Sequence, residues 1–322
     1  MQIIECVPNI SEGKDKEIIN KIVEAVQKTG AKVLHVDIGY DANRTVITFA
    51  GDKDTAFRGA YALIKNSFQL IDMSTHKGEH PRLGCVDVCP FVPVKDVTMG
   101  ECVEMAKNLA QKVTDTLELP VYLYANAAQN EERKNLAYIR KGEYPALAEK
   151  LKTLPPDYGP QEINEAAKKG GAITIGARDI LIAFNISLNT KDADKAKLIA
   201  AALRESGTGR KLPAVKAIGW YMEEYNCAQI SCNILNAKAT PLHILYEAAK
   251  EEAAALGVEV TGSEIIGLCP ESALVRAGKN YVKGTGKCFS KRDKIQGAID
   301  NLNLNLHGTF DQEKRVIEYL LK

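Results

Sequence analysis

Two stretches of this 322-residue chain carry the same alternation of hydrophobic periods, and an element order that occurs twice leaves few architectures open. From the start, the pattern reads as a strand over residues 2–7 and an amphipathic helix over 14–29 with Ile18, Ile19, Ile22, Val23 and Val26 on one side. Strands over 32–37 and 45–50, a helix over 54–66 and a strand over 85–92 complete the first series. Pro90 and Pro93 predict that its last strand is an edge or an ending, because proline cannot donate to a ladder. The second series reads as strand 181–187, helix 193–205, strands 215–222 and 228–234, helix 241–256 and strand 258–267. A β-α-β-β-α-β order is the ferredoxin-like signature. It predicts an α/β (α+β) protein of two ferredoxin-like subdomains, residues 1–179 and 180–322, with a ligand groove between them. Helical insertions over 103–117 and 144–154, a strand over 121–124 and a polar, glycine-rich stretch over 155–171 separate the two series.

Charge narrows the partners. With 42 Lys+Arg against 41 Asp+Glu, a net charge of +1 supplies no field to hold nucleic acid or an anionic membrane surface. The opening residues lack the basic start and apolar run of a secretory signal, and no stretch reaches the roughly 18 apolar residues of a membrane span. The eight cysteines are scattered, so they read as reduced thiols of a cytoplasmic protein acting on small molecules.

Chemistry concentrates in one loop. Of five histidines, His243 and His307 read as surface or capping residues and His35 as a strand residue sharing a face with Asp37. His76 and His80 lie in Ser74-Thr75-His76-Lys77-Gly78-Glu79-His80-Pro81-Arg82-Leu83-Gly84, together with a carboxylate and two cations. His76-x-x-Glu79-His80 matches an inverted zinc-protease spacing, but Gly78 and Pro81 argue against the helix that would aim both rings at one ion. No metal is expected. The remaining uses of such a loop are a capped turn or acid–base work, with an imidazole moving a proton while a guanidinium holds an anion. If a second polar cluster, Asp37 to Thr45, emerges on the same side as this loop, Asp37 can orient His80 while Asn43 and Arg44 supply donors. Gly170, Gly171 and Arg178 offer either an anion-binding turn or a simple glycine turn before a strand. The lysines and arginines between Lys279 and Lys294 read as a solvated surface segment.

Glu5-Cys6-Val7-Pro8-Asn9-Ile10-Ser11-Glu12-Gly13, Asn43-Arg44-Thr45-Val46, and Gly78-Glu79-His80-Pro81-Arg82-Leu83-Gly84 with Asp87-Val88-Cys89-Pro90-Phe91 together resemble the glutamate formimidoyltransferase family. Val121 to Tyr124, Gly176-Ala177-Arg178, Leu181 to Asn185 and Gly219-Trp220-Tyr221 extend the likeness to about residue 275. The resemblance implies transfer of a formimino group from N-formimino-L-glutamate to N5 of tetrahydrofolate, the co-substrate, in histidine breakdown. It implies His80 as the catalytic histidine, Asp37 as its partner, and a folate-binding loop over 159–171 with Gly159, Pro160, Gly170 and Gly171 as its contacts. Asn43, Arg44, Arg82 and Arg178 are the expected substrate-binding donors, the arginines pairing with carboxylates. One imidazole that accepts the N5 proton and returns it to the departing glutamate nitrogen serves both halves of the reaction without a metal. Family members that continue into a cyclodeaminase domain differ from this chain, which ends at Lys322, so a separate cyclodeaminase protein is the expected next partner; a homodimer is left open. Three rivals stay in view: formyl transfer from N-formylglutamate, a non-catalytic folate binder, and a metal hydrolase built on His76, Glu79 and His80.

Overall fold

The computed structural model describes residues 2–78, 81–282 and 289–321. It divides into two compact units, one ending at Arg178 and the next beginning at Asp179. The first unit runs β1 (Ile3–Cys6), β2 (Asn9–Ile10), α1 (Lys16–Gln27), β3 (Lys32–Gly39), β4 (Arg44–Gly51), α2 (Lys53–Leu70) and β5 (Val86–Lys95). It continues through α3 (Met99–Leu117), β6 (Val121–Ala125), α4 (Leu136–Arg140), α5 (Leu147–Thr153), α6 (Glu165–Gly170) and β7 (Ile173–Ala177). Local chemistry starts each long helix: the Asp15 carboxylate accepts from Glu17 and Ile18 N–H, Asp52 caps α2 through Thr55 N–H, and Thr98 with Glu101 forms a capping box on α3. Ile19, Ile22 and Val26 of α1 then fall on one buried face against Ile4, Ile47 and Phe49 of the sheet.

β1 and β2 are two halves of one strand, interrupted at Val7-Pro8 and both antiparallel to β4 and β5. With β3 outside β4, the order β5, β1/β2, β4, β3 is the ferredoxin-like one. Beyond β5 the sheet grows by β7 and β6 in parallel, so the strand expected over 121–124, and a further one that follows the glycine-rich stretch, belong to a seven-stranded sheet. This corrects the reading of β5 as an edge: it is central. Pro90 is tolerated because its carbonyl, and with it the side where an N–H would point, faces the Val7-Pro8 interruption; Val7 N–H donates to Pro90 O at 3.3 Å. Pro93 lies past Phe91–Ala177, where β7 has ended.

The second unit repeats the order: β8 (Ile182–Leu188), α7 (Ala193–Leu203), β9 (Val215–Met222), β10 (Cys227–Ile234), α8 (Leu242–Ala255) and β11 (Val260–Ile266). Its four strands are antiparallel in the order β11, β8, β10, β9. Ile182, Phe184 and Ile186 alternate inward against Ile199 and Leu203 of α7 and Leu245 of α8. Pro241 stands at the N-cap of α8. Among the described residues four more helices follow: α9 (Glu271–Tyr281), α10 (Lys291–Asn301), α11 (Gln312–Arg315) and α12 (Ile317–Leu320). No helix among the described residues is long and apolar enough to cross a membrane.

Candidate functional site

The loop from α2 to β5 is fastened on both sides of Glu79 and His80, two residues that lie outside the described ones. Before them, Asn43 Nδ2 donates to the Lys77 carbonyl at 2.7 Å, and a Cβ on Gly78 would meet the Ala42 carbonyl at 2.5 Å. After them, Leu83 N–H donates to Asp87 Oδ1 at 2.9 Å. Arg82 spends its guanidinium locally, pairing with Glu143 at 2.6 Å and donating Nε to His76 Nδ1 and Nη2 to the His76 carbonyl, each at 3.2 Å. His76 Nε2 meets the Asn43 carbonyl at 3.0 Å. Both ring nitrogens of His76 are thus engaged, which counts against it as a metal ligand. Burial is the main cause holding its pKa below the ordinary value, with Arg82 acting in the same direction.

Asn43, expected as a substrate donor, closes the β3–β4 turn with a left-handed φ of 46°. Its side-chain oxygen accepts from Gly13 N–H at 2.9 Å while its nitrogen holds Lys77, so the amide joins three loops. Asp37 and Arg44 share the sheet face opposite α1, α2 and α3, because Asp37 pairs with Val46 and Arg44 lies two residues from it. Burial pushes the Arg44 pKa down to about 10, the nearby Arg140 adds to this, and Asp87 and Asp37 oppose it. Asn9 and Thr48 stand on the same face, and their buried Oδ1 and Oγ1 atoms have no hydrogen-bond partner among the described residues. Arg178, just past β7, interacts with the hydroxyl of buried Tyr124, whose pKa burial pushes up to about 12.

Sequence reasoning missed the pair that braces this region. Asp87 is 1% exposed; its carboxylate takes both Nε and Nη2 of Arg140 as well as the Leu83 amide. The available signal was a carboxylate inside the apolar run Val86 to Val92. The expected folate contacts sit at two ends of one segment. Gly159 has φ 94°, and a Cβ there would meet the Leu119 carbonyl at 2.7 Å; Pro160 follows it. Gly170 ends α6 against Phe68 and the Leu119 side chain, and Gly171 turns with φ 72° onto Leu83 and Gly84. The backbone of the latter two is committed: Cys85 N–H donates to Gly170 O at 2.7 Å, and Gly84 bridges Gly171.

Both units match known families in sequence. Residues 3–178 fit the N-terminal subdomain of the formiminotransferase domain and residues 183–322 fit the formiminotransferase domain itself. The chain belongs to the formiminotransferase family. Within that family it is 45% identical to the formimidoyltransferase-cyclodeaminase of Rattus norvegicus over 99% of its own length, but spans only 60% of that protein. The glutamate formimidoyltransferases of Thermoplasma acidophilum and Streptococcus pyogenes are 43% and 42% identical over 89% and 88% of this chain, and each is covered over 94% of its length. Formiminotransferase homology therefore runs through both units, including the stretch beyond residue 276 where motif resemblance fades.

Proposed function

We propose that this chain is an enzyme transferring the formimino group of N-formimino-L-glutamate to N5 of tetrahydrofolate, releasing L-glutamate and giving 5-formimidoyltetrahydrofolate in histidine degradation. The glutamate formimidoyltransferases similar to it over nearly their whole length support the reaction class. The structural observation that carries the reading is Arg44, half-buried near Arg140, Asp87 and Asp37 on a sheet face where Asn9 Oδ1 and Thr48 Oγ1 have no hydrogen-bond partner among the described residues. A guanidinium there suits an anionic substrate, whose carboxylate can accept from Arg44 while Arg140 stays paired with Asp87.

In this mechanism N5 attacks the formimino carbon to form a tetrahedral intermediate. His80 accepts the N5 proton and donates it to the glutamate nitrogen, so the C–N bond to glutamate breaks with a neutral amine leaving. Asp37 orients His80 and raises its basicity, while Arg44 and Arg178 hold carboxylates of the two substrates. Arg82 and Asn43 act indirectly, by tying down the segment that enters and leaves the Glu79-His80 pair. Gly159, Pro160, Gly170 and Gly171 bound the folate loop. The seven described cysteines are free, which suits a reducing compartment, and the reaction belongs in the cytoplasm.

Incubating the protein with tetrahydrofolate and either formiminoglutamate or formylglutamate, and identifying the folate product by mass spectrometry, tests the proposal. A formimidoyl product is expected. A formyl product from formylglutamate alone would overturn it.

A further inference from the structure

Asn9, at the end of the run Glu5-Cys6-Val7-Pro8-Asn9, has no part in the proposed proton transfers. Its neighbour Ile10 packs into the core on the helix side of the sheet, so Asn9 points to the opposite face. Asn9 pairs with Val46, and Ile47 is a core residue, so Val46 and Thr48 share that face with it. One strand further out, Asp37 pairs with Val46 and His35 with Thr48. Asn9 and Thr48 are 6% and 1% exposed, whereas Val46, His35, Asp37 and Arg44 around them are half-buried. Two buried polar side chains thus flank open ground at Val46.

The Asn9 amide has a fixed sense. Its Nδ2 donates to the Val7 carbonyl at 3.2 Å, and turning the amide over would set two oxygens against each other, so Oδ1 stays an acceptor. Neither that Oδ1 nor Thr48 Oγ1 has a hydrogen-bond partner among the described residues. A buried acceptor left unpaired has given up its hydration without compensation, which a ligand N–H restores. Formimino and formyl groups differ at one atom. The formimino group ends in nitrogen and, as a protonated amidine, presents only N–H donors; the formyl group ends in an oxygen that only accepts. Oδ1 attracts the first and repels the second, and a site built around a substrate N–H rejects the analogue that lacks it. The Thr48 hydroxyl serves either group, so discrimination falls on Asn9. Asp37, in the same cross-strand row, favours the amidinium charge, and Arg44, next on that face of β4, suits a carboxylate of the same molecule.

We propose that Asn9 selects a formimino over a formyl donor, its Oδ1 accepting from the terminal amidine N–H, with Thr48 Oγ1 as a second contact. The assignment rests on the reading of N-formimino-L-glutamate as the donor substrate. The test uses the full-length protein with tetrahydrofolate in excess. It measures kcat/KM for formiminoglutamate and the inhibition constant of formylglutamate as its competitor, in the wild type and in Asn9→Leu, which is close in size and carries no acceptor. In the variant, kcat/KM for formiminoglutamate falls by about tenfold to a hundredfold, the loss of one buried charge-assisted hydrogen bond. Formylglutamate binds as well as before or better, and the KM for tetrahydrofolate is unchanged. Thr48→Val, which keeps the shape and removes the hydroxyl, shifts the ratio the same way by a smaller factor, and Thr48→Ser keeps the wild-type ratio. Circular dichroism checks folding, and the Thr48 pair serves if Asn9→Leu misfolds. An equal loss for both donors, a loss confined to tetrahydrofolate, or an unchanged ratio, as when buried water alone satisfies the two atoms, overturns the proposal. Wild-type protein that transfers nothing from formiminoglutamate overturns the functional reading, and this one with it.

Discussion

Arg82 Nε can only donate, so its bond to His76 Nδ1 leaves the ring proton on Nε2, facing the Asn43 carbonyl, and the imidazole neutral. Burial, the larger cause, and Arg82 both keep the folded pKa of His76 under its ordinary 6.5, and burial does the same for His307. The unfolded chain therefore takes up these protons first as pH falls. Their contribution to stability is complete above about pH 6.5 and is lost as the pH drops through the lower folded values. Thermal unfolding followed from pH 8 to 5 is expected to show Tm level at the alkaline end and falling below about 6.5, with a shallower fall in His76→Gln; an equal slope in that variant refutes the assignment. For turnover the order of effects is different. His80→Asn should cost about two to four orders of magnitude in kcat, His76→Asn much less, and Asp37→Asn an intermediate amount. Wild-type turnover in His80→Asn ends the acid–base role.

Between residues and molecule stand the contacts that let one element touch another's backbone. Gly171 has φ 72°, and a Cβ there would sit 2.3 Å from the Leu83 carbonyl, so Gly171→Ala meets both strain and collision. A loss of about 1–3 kcal/mol or more in denaturant unfolding is expected. Gly257→Ala, also at positive φ but with nothing within 4 Å, is the strain-only control and should cost less. The α4–β5 brace makes a second case. Asp87→Asn leaves Arg140, 16% exposed, without its carboxylate, and should destabilise by about 3–5 kcal/mol in urea titration. Replacing both partners by apolar residues should cost less than that single change, since no buried charge is then stranded.

At the scale of the whole chain, a net charge of +1 provides no long-range attraction, so the proposed function requires local cations such as Arg44 and Arg178 to anchor the folate. Tetrahydrofolate affinity should weaken as salt is raised, with a shallower slope in Arg178→Met; a flat response in the wild type argues against arginine anchoring. Periodicity alone determined the two β-α-β-β-α-β series and nearly all of their elements, because burying one face of a strand or helix writes a period of 2 or 3.6 into neighbouring residues. Motif resemblance likewise marked Arg44 and Arg178, since each stands in a short run of consecutive residues, and implied Asp37 as a strand-end aspartate. What local pattern does not encode is which distant strand completes a ladder. That Pro90 sits in a central strand follows from a break at Val7-Pro8 more than 80 residues away. Asp87 meeting Arg140, and Asn43 meeting Gly13 and Lys77, are equally non-local. Hydrogen bonds and ion pairs act over about 3 Å and specify no sequence separation, so only the folded chain decides which polar groups share a site.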